Sequence, residues 1–369
     1  MRDVDVAVIG AGPAGSALAL RLAEQGLSVT LIERSNFDHP RAGETLAPTV
    51  KAQLADLGVW SAVQSIRPVD SYGVRCSWES PTPRTQAHLS NGSGSGWHVD
   101  RLEFDAFLAR EAVHRGAVLR SACRVMQVDR QRQRWHLTLA QTGARPKQLQ
   151  ARVLVDASGR EARLARALGA GRTLFDRLVG VVLVHRLGRP GSQHLVVEAC
   201  EDGWWSSAPT AGTELVTTFM TDSDLLREEA EDAIDFMKKM QQAPLTLNRL
   251  VGARLRWGPR PVSALSQRLR RTDGRPWLAV GDAAFAVDPL SGTGVAGALD
   301  SARAAVPVVL AMCDNDGAEA LRCYEADLDQ DCSRYLRERS QRYNGVGRWP
   351  DAPFWKRRLG GSDALAMSG

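Results

Sequence analysis

The apolar positions of this 369-residue chain follow two rhythms. In the first, short apolar runs alternate with helical patterns. Val6-Ala7-Val8-Ile9, opened by Asp5, is too short for a helix and predicts a buried strand. It breaks at Gly10-Ala11-Gly12-Pro13-Ala14-Gly15, beyond which Ala17, Leu18, Leu22 and Ala23 recur at helical spacing. A second run, 28–32, ends on Glu33 and Arg34. Helices are predicted over 48–57, where the preceding Gly43-Glu44-Thr45 loop can present donors to a ligand with Thr45 as a candidate contact, unless Thr45 simply caps the helix, and over 100–115, where Asp100 is a natural N-cap and Glu103 fits a capping box. A hairpin is expected within 118–143, turning over 129–134. Val153-Leu154-Val155 is a further apolar strand that enters Asp156-Ala157-Ser158-Gly159 and a helix with Leu164, Ala165 and Leu168. A similar strand over 276–280 enters Gly281-Asp282 and precedes helices over 296–313 and 318–341.

The second rhythm is that of longer strands, over 71–78, 180–186, 193–199 and 214–221. Their spacing predicts an antiparallel sheet, a layer separate from the first. Asn91-Gly92-Ser93-Gly94-Ser95-Gly96 reads as a mobile loop and 222–243 as a charged helix.

Hydrophobic residues at 44% and charged residues at 24% are ordinary for a soluble protein. Met1-Arg2-Asp3 runs almost directly into the first strand, which leaves no room for a signal peptide. No run approaches the ~18 apolar residues of a membrane span, so stable membrane insertion is not expected. The cysteines form neither a CxxC pair nor a metal-like cluster; scattered thiols suit a reducing, cytoplasmic setting and no metal is expected. The net charge of +5 first suggests nucleic acid. Residues 334–369, however, hold eight basic and three acidic side chains, so the body is balanced and nucleic-acid binding is not expected.

The chemistry starts at the glycine break. Strand, GxGxxG turn, helix, strand and acid in succession form a dinucleotide fingerprint. Gly10 allows the tight turn, Gly12 lets backbone approach a pyrophosphate beside Ala14, and Gly15 lets the helix pack closely. Glu33 is placed to accept from ribose hydroxyls, and Arg34 beside it is a further candidate contact to the dinucleotide. This motif alone leaves NAD and FAD open. The second diagnostic stretch runs from Gly281-Asp282 to Asp288-Pro289-Leu290-Ser291-Gly292-Thr293-Gly294-Val295. Asp282 can accept from a polyol, Gly292 and Gly294 clear space for a flat ring, and the helix start at Thr293–Val295 can stabilise negative charge. The implied fold class is α/β (α+β overall). A Rossmann-like domain in the pieces 1–60, 100–170 and 275–335 is interleaved with an antiparallel-sheet substrate domain at 61–99 and 171–274. A basic, aromatic tail covers 336–369.

Four spaced motifs carry a family resemblance: GAGPAG with Glu33, Arg101 in DRLEFD, Asp156-Ala157-Ser158-Gly159, and GDAAFAVDPLSGTG. The chain resembles the FAD-dependent monooxygenase, halogenase and geranylgeranyl-reductase superfamily with the p-hydroxybenzoate hydroxylase fold. The resemblance implies FAD as the dinucleotide. It places Arg101 near flavin and pyrophosphate, Asp156 beside the cofactor, and Pro289 to Val295 over the isoalloxazine. Flavin halogenases carry GWxWxIP, a catalytic lysine and, in some, a glutamate before S-T-G. Here the matching positions hold Ser206 and Ala208 within 203–209, Arg75, and Ser291. A guanidinium stays protonated and cannot replace that lysine, so halogenation is not expected. The DASG pattern is similar to that of members that receive reduced flavin from a separate reductase. The closing stretch, with Arg348-Trp349-Pro350 and Phe354-Trp355, resembles halogenase-like flavoproteins that mature tryptophylquinone cofactors.

The reaction so implied is hydroxylation of an electron-rich aromatic ring, with indole in a peptide or protein as the leading substrate, through a flavin C4a-hydroperoxide. Trp204 and Trp205 are candidates for a stacking wall and Glu44 for the base, ahead of His185, Glu198 and His194. The alternatives are a prenyl double-bond reductase and a non-catalytic FAD-binding maturation partner.

Overall fold

The computed structural model describes residues 2–88, 94–141, 143–210, 212–226, 233–271, 274–359 and 367–368. Among them, one large sheet runs Val118–Arg120, Val29–Ile32, Arg2–Ile9, Lys147–Asp156, Arg134–Gln141, Cys123–Gln131, with Trp277–Ala279 added to the end of Lys147–Asp156. Arg2–Ile9 pairs in parallel with Val29–Ile32 and Lys147–Asp156, and the latter in parallel with Trp277–Ala279. The register sets Ile9 opposite Asp156 and Asp156 opposite Ala279. Three chain segments therefore leave the sheet together at its carboxyl edge, where an open α/β sheet forms its crevice. The helix Pro13–Glu24, with Ala17, Leu18 and Leu22 wholly enclosed, packs between this sheet and the helices Arg101–His114 and Gly294–Cys313. Asp100 caps the first of these through the Leu102 N–H at 2.8 Å.

Gly294–Cys313 is long and apolar enough to span a membrane by length and composition, against the expectation that no such run exists. Ala302, Ala305 and Val309 are fully enclosed while Asp300 and Arg303 are exposed, the pattern of a core helix.

The second large sheet has the order Arg254–Ser263, Leu178–Arg186, Glu214–Asp222, Gly203–Pro209, His194–Cys200, Gly73–Ser77, Arg84–Ala87. Within it His194–Cys200 and Gly73–Ser77 run parallel and the other neighbours antiparallel. Directly opposed residues share a face. Val216 opposes both Val184 and Ala208, and Trp204 opposes Met220. One face thus carries Val182, Val184, Val216, Ala208 and Trp204, and the other Leu183, Phe219 and Trp205.

Two expected elements differ. The span 222–243 is not one helix: Asp222 ends a strand, and Ala233–Met240 and Pro244–Asn248 are separate helices. Asp222 is buried and accepts from Arg358 at 2.6 Å, which holds it in the sheet, and a proline starts the second helix. Thr45 caps nothing. It lies in the strand Thr45–Leu46, and the helix Val50–Asp56 starts after Thr49. Of the expected mobile loop, 91–93 fall outside the described residues, and Gly96 begins the strand Gly96–His98.

The described stretch 336–359 enters the core. The helix Ala318–Asn344 ends beside the second sheet, and Pro353–Leu359 follows. Tyr343, Phe354 and Trp355 are buried against Trp204 and Met220. Trp355 donates to the Cys200 carbonyl at 2.9 Å. Trp355→Ala should therefore cost ~3–5 kcal/mol of unfolding free energy, measured as a lower midpoint in urea; an unchanged midpoint would mean the segment adds nothing to the core.

Candidate functional site

The fingerprint turn is defined by contact distances. A β-carbon at Gly10 (φ +109°) would lie 2.2 Å from the Ala157 carbonyl oxygen, and one at Gly15 would lie 2.0 Å from the Gly10 carbonyl oxygen. Neither position has room for a side chain. At Gly12 an added β-carbon meets nothing within 4 Å, so this glycine faces open space at the start of Pro13–Glu24. Gly281 (φ +58°) closes the same side, where a β-carbon would sit 2.8 Å from the Ala14 methyl.

Glu33 lies at the end of the second strand and is 6% exposed. Its carboxylate accepts from the Ala11 N–H at 2.9 Å and from the Ser35 hydroxyl at 2.6 Å, with Arg41 at 3.5 Å. Arg41 also pairs at 2.6 Å with Asp105, which in turn receives Arg101 at 3.1 Å. Arg101 donates further to the Ala42 carbonyl at 2.9 Å. Its guanidinium therefore pins the 42–44 loop. Gly43 (φ +99°) is required there, since a β-carbon would lie 2.7 Å from that guanidinium. Arg41 and Asp105 were not singled out from sequence: their partners are distant in the chain, and only the Arg101/Asp105 spacing of four on a helix hinted at a pair.

Asp156 is fully enclosed. One carboxylate oxygen accepts from the Ser158 N–H at 2.9 Å and the other from the Ala165 N–H at 2.7 Å. Burial raises its pKa, and these bonds oppose the rise. Asp156 thereby shapes the turn that clasps Gly10. Arg34 is half exposed and pairs with Glu161 at 3.1 Å.

In the second motif Asp282 is partly exposed and lies 3.3 Å from Arg160, which also donates to the Leu265 and Val287 carbonyls. Asp288 is buried and caps the short turn Pro289–Ser291 through the Leu290 N–H at 2.9 Å. Gly292, Thr293 and Gly294 are exposed at the start of the twenty-residue helix, while Val295 is buried beneath them. Gly292 has φ +66° and open space around it.

Glu44 is 8% exposed, and its Oε1 has no hydrogen-bond partner. Burial raises its pKa to about 7, with a backbone N–H bond from Glu44, the Arg101 charge and a backbone N–H bond from Gly43 opposing the rise. Next to it, the Thr45 hydroxyl and His98 Nδ1 are 3.0 Å apart, and His98 Nε2 is 3.1 Å from the Gln193 carbonyl. A carbonyl only accepts, so Nε2 carries the proton and Nδ1 accepts from Thr45. Burial lowers the His98 pKa to about 4, which keeps the ring neutral. Near this loop, Ala42 packs on Val182, Val184, Val216, Trp257 and Val262, an apolar shelf on one face of the second sheet.

Trp204 and Trp205 form no common wall. Adjacent strand residues point to opposite faces, and both rings are enclosed, at 2% and 0% exposure. Trp204 packs with Tyr343 and Trp355, and Trp205 with Phe219 and Phe236.

The profile of the family described as FAD binding domain matches residues 3–331. The chain belongs to this FAD-binding family. Its fold is shared with CmlS, a flavin-dependent halogenase, at 26% identity and a TM-score of 0.86 over 100% of this chain and 70% of that one. QhpG, a peptidyl tryptophan dihydroxylase essential for tryptophylquinone cofactor biogenesis, aligns at 26% identity and a TM-score of 0.79 over 98% of this chain and 80% of its own. LodB of Marinomonas mediterranea, an FAD-dependent oxidoreductase by name, is 29% identical over 364 residues, 97% of each chain. The chain is accordingly an FAD-dependent oxidoreductase, and the open crevice fits that cofactor. Gly12 leaves space at a helix start, Glu33 and Asp282 supply carboxylates, and Gly292 to Gly294 leave a second helix start uncovered.

Two outcomes follow for this FAD-binding chain. Gly10→Ala forces apart the Gly10 and Ala157 turns, so FAD retention on gel filtration should be lost while Gly12→Ala, which meets no protein atom, keeps the fold. Glu44 has its folded pKa raised from 4.5 to about 7, so its contribution to stability is complete below pH 4.5 and is lost as pH rises through 7. Between pH 5 and 8 the cofactor-free wild type should lose stability relative to Glu44→Gln, by on the order of 3 kcal/mol; parallel pH profiles in chemical denaturation would contradict this.

Proposed function

We propose that this oxidoreductase is a monooxygenase that hydroxylates an electron-rich aromatic ring, the leading substrate being the indole of a tryptophan in a peptide or protein. The observation that carries the reading is the pairing of an apolar shelf with a buried carboxyl, that of Glu44, whose Oε1 has no hydrogen-bond partner. Val182, Val184 and Val216 form a buried apolar patch with the partly exposed Trp257 and Val262 at its edge, where a flat ring would be held, and Ala42 joins this shelf to the loop that bears Glu44. Reduced FAD supplies the two electrons that turn one oxygen atom of O₂ into water while the other enters the ring.

The chain's residues divide the remaining work. Gly10, Gly12, Ala14 and Gly15 with the start of Pro13–Glu24 would hold the pyrophosphate, and Glu33 the ribose. Asp282 would hold the ribityl chain, and Gly292, Thr293 and Gly294 would lie against the flavin, where the helix start favours negative charge. Arg101 positions the Glu44 loop through Ala42. Glu44 Oε1 then takes the proton that the substrate N–H or O–H releases, a role suited to a group that titrates near neutral pH. The enclosed sheet face excludes water.

Halogenation is not favoured by the position of Arg75. Val74 and Cys76 pack on the face that carries Trp204, so Arg75 between them points to the opposite face and is exposed. We further propose that a separate reductase supplies the reduced flavin, so NADH or NADPH added to the FAD-loaded protein should not bleach its absorbance.

The test is oxygen uptake by chemically reduced, FAD-loaded protein with and without a tryptophan-containing peptide. With the peptide, hydrogen peroxide release should fall and product with an added oxygen atom should appear, at a rate rising through pH 7. Glu44→Gln should slow product formation about 100-fold or more and remove that pH limb. Peroxide release unaffected by any aromatic ligand would contradict the reading and favour the prenyl reductase.

A further inference from the structure

The turn Pro289–Ser291 does not hold its shape alone. Three side chains near the end of the helix Ala318–Asn344 reach it. The Tyr335 hydroxyl accepts from the Asp288 N–H at 2.7 Å, Arg342 donates to the Leu290 carbonyl at 2.8 Å, and the Tyr343 hydroxyl donates to the Asp288 carboxylate at 2.7 Å. Tyr335 lies about two turns before Arg342 and Tyr343 on the helix. The same Tyr343 oxygen accepts from the indole N–H of Trp204 at 3.1 Å. Asp288 and Tyr343 are each 1% exposed and Trp204 is 2% exposed, so no water competes for these bonds. Leu290 packs into the cluster that contains Trp204, Tyr343 and Trp355.

We propose that Tyr343 is a positioning residue that couples the second sheet to the FAD site. Its hydroxyl joins the sheet residue Trp204 to Asp288, whose carboxylate shapes the turn leading to Gly292–Gly294. A buried carboxylate oxygen that loses its donor is left unpaired at a cost, and the turn that Asp288 caps is directly bonded to that carboxylate. The C-terminal segment thereby sets the cofactor-facing backbone from behind while touching no cofactor itself. This inference rests on the placement of the flavin against 292–294.

Tyr343→Phe tests it, because the ring and its packing stay and only the hydroxyl goes. Trp355→Phe is the matched control: it loses one buried hydrogen bond in the same cluster and none to the turn. FAD dissociation constants come from fluorescence titration of cofactor-free protein, and midpoint potentials from dye equilibration of the loaded protein. Tyr343→Phe should weaken FAD at least fivefold and shift the midpoint potential, while Trp355→Phe stays within twofold of wild type at a similar loss of thermal stability. Wild-type affinity and potential in Tyr343→Phe, or equal weakening in both variants, would overturn the coupling. Gly292→Val separates the underlying placement: if it binds FAD like wild type, the flavin does not lie at 292–294 and the placement itself is wrong.

Discussion

The whole arrangement depends on one close approach of backbone to backbone, between the turn at Gly10 and the turn at Ala157. The Ala157 N–H donates to the Ile9 carbonyl at 2.8 Å while its own carbonyl oxygen occupies the space a Gly10 side chain would need. This contact joins the ends of two parallel strands and leaves the helix start at Gly12 facing outward. Asp156 holds one turn in shape by accepting two backbone N–H groups, and Glu33 holds the other by accepting from Ala11. The crevice is thus built from backbone geometry, with carboxylates spent on fixing turns as much as on meeting a ligand. Buried acids of this kind are tolerated because every oxygen that shapes a turn has donors. Glu44 is the exception, and an unpartnered buried oxygen calls for a functional account.

A second constraint comes from the far end of the chain. The sheet face that carries the shelf is only partly free. Phe354, Trp355 and Tyr343 cover the portion around Trp204, and the buried pair of Arg358 with Asp222 anchors that cover. The shelf lies outside that cover, with Val182, Val184 and Val216 buried and Trp257 and Val262 partly exposed at its edge. One element therefore both defines the extent of the shelf and reaches the turn at Asp288.

Much of the cofactor crevice was legible in the sequence because its elements are local. A glycine turn between a strand and a helix, or an acid at a strand end, is visible within a few residues. The second sheet was harder to read. The strand Gly203–Pro209 escaped notice because Trp204 and Trp205 are both buried, one on each face, so no alternation marks it. The strand end at Asp222 looked like the start of a charged helix because its partner Arg358 is 136 residues away. Separations of 64 and 55 residues likewise hid the Arg41–Asp105 pair and the Tyr343–Asp288 contact, and long-range contacts of this kind made an integral aromatic segment resemble an appended tail. Glu44 was visible as a candidate from its place beside the expected flavin, but its burial and raised pKa depend on tertiary packing.

The central claim is that an oxygen atom from O₂ is placed on an aromatic ring held at the shelf beside Glu44. The most direct measurement is a single turnover of the reduced, FAD-loaded protein under ¹⁸O₂ with a tryptophan-containing peptide, followed by mass spectrometry of the product. The account predicts one ¹⁸O atom on the indole for each reduced flavin consumed. Oxygen drawn from water, or an unmodified indole with all the O₂ recovered as peroxide, would contradict it.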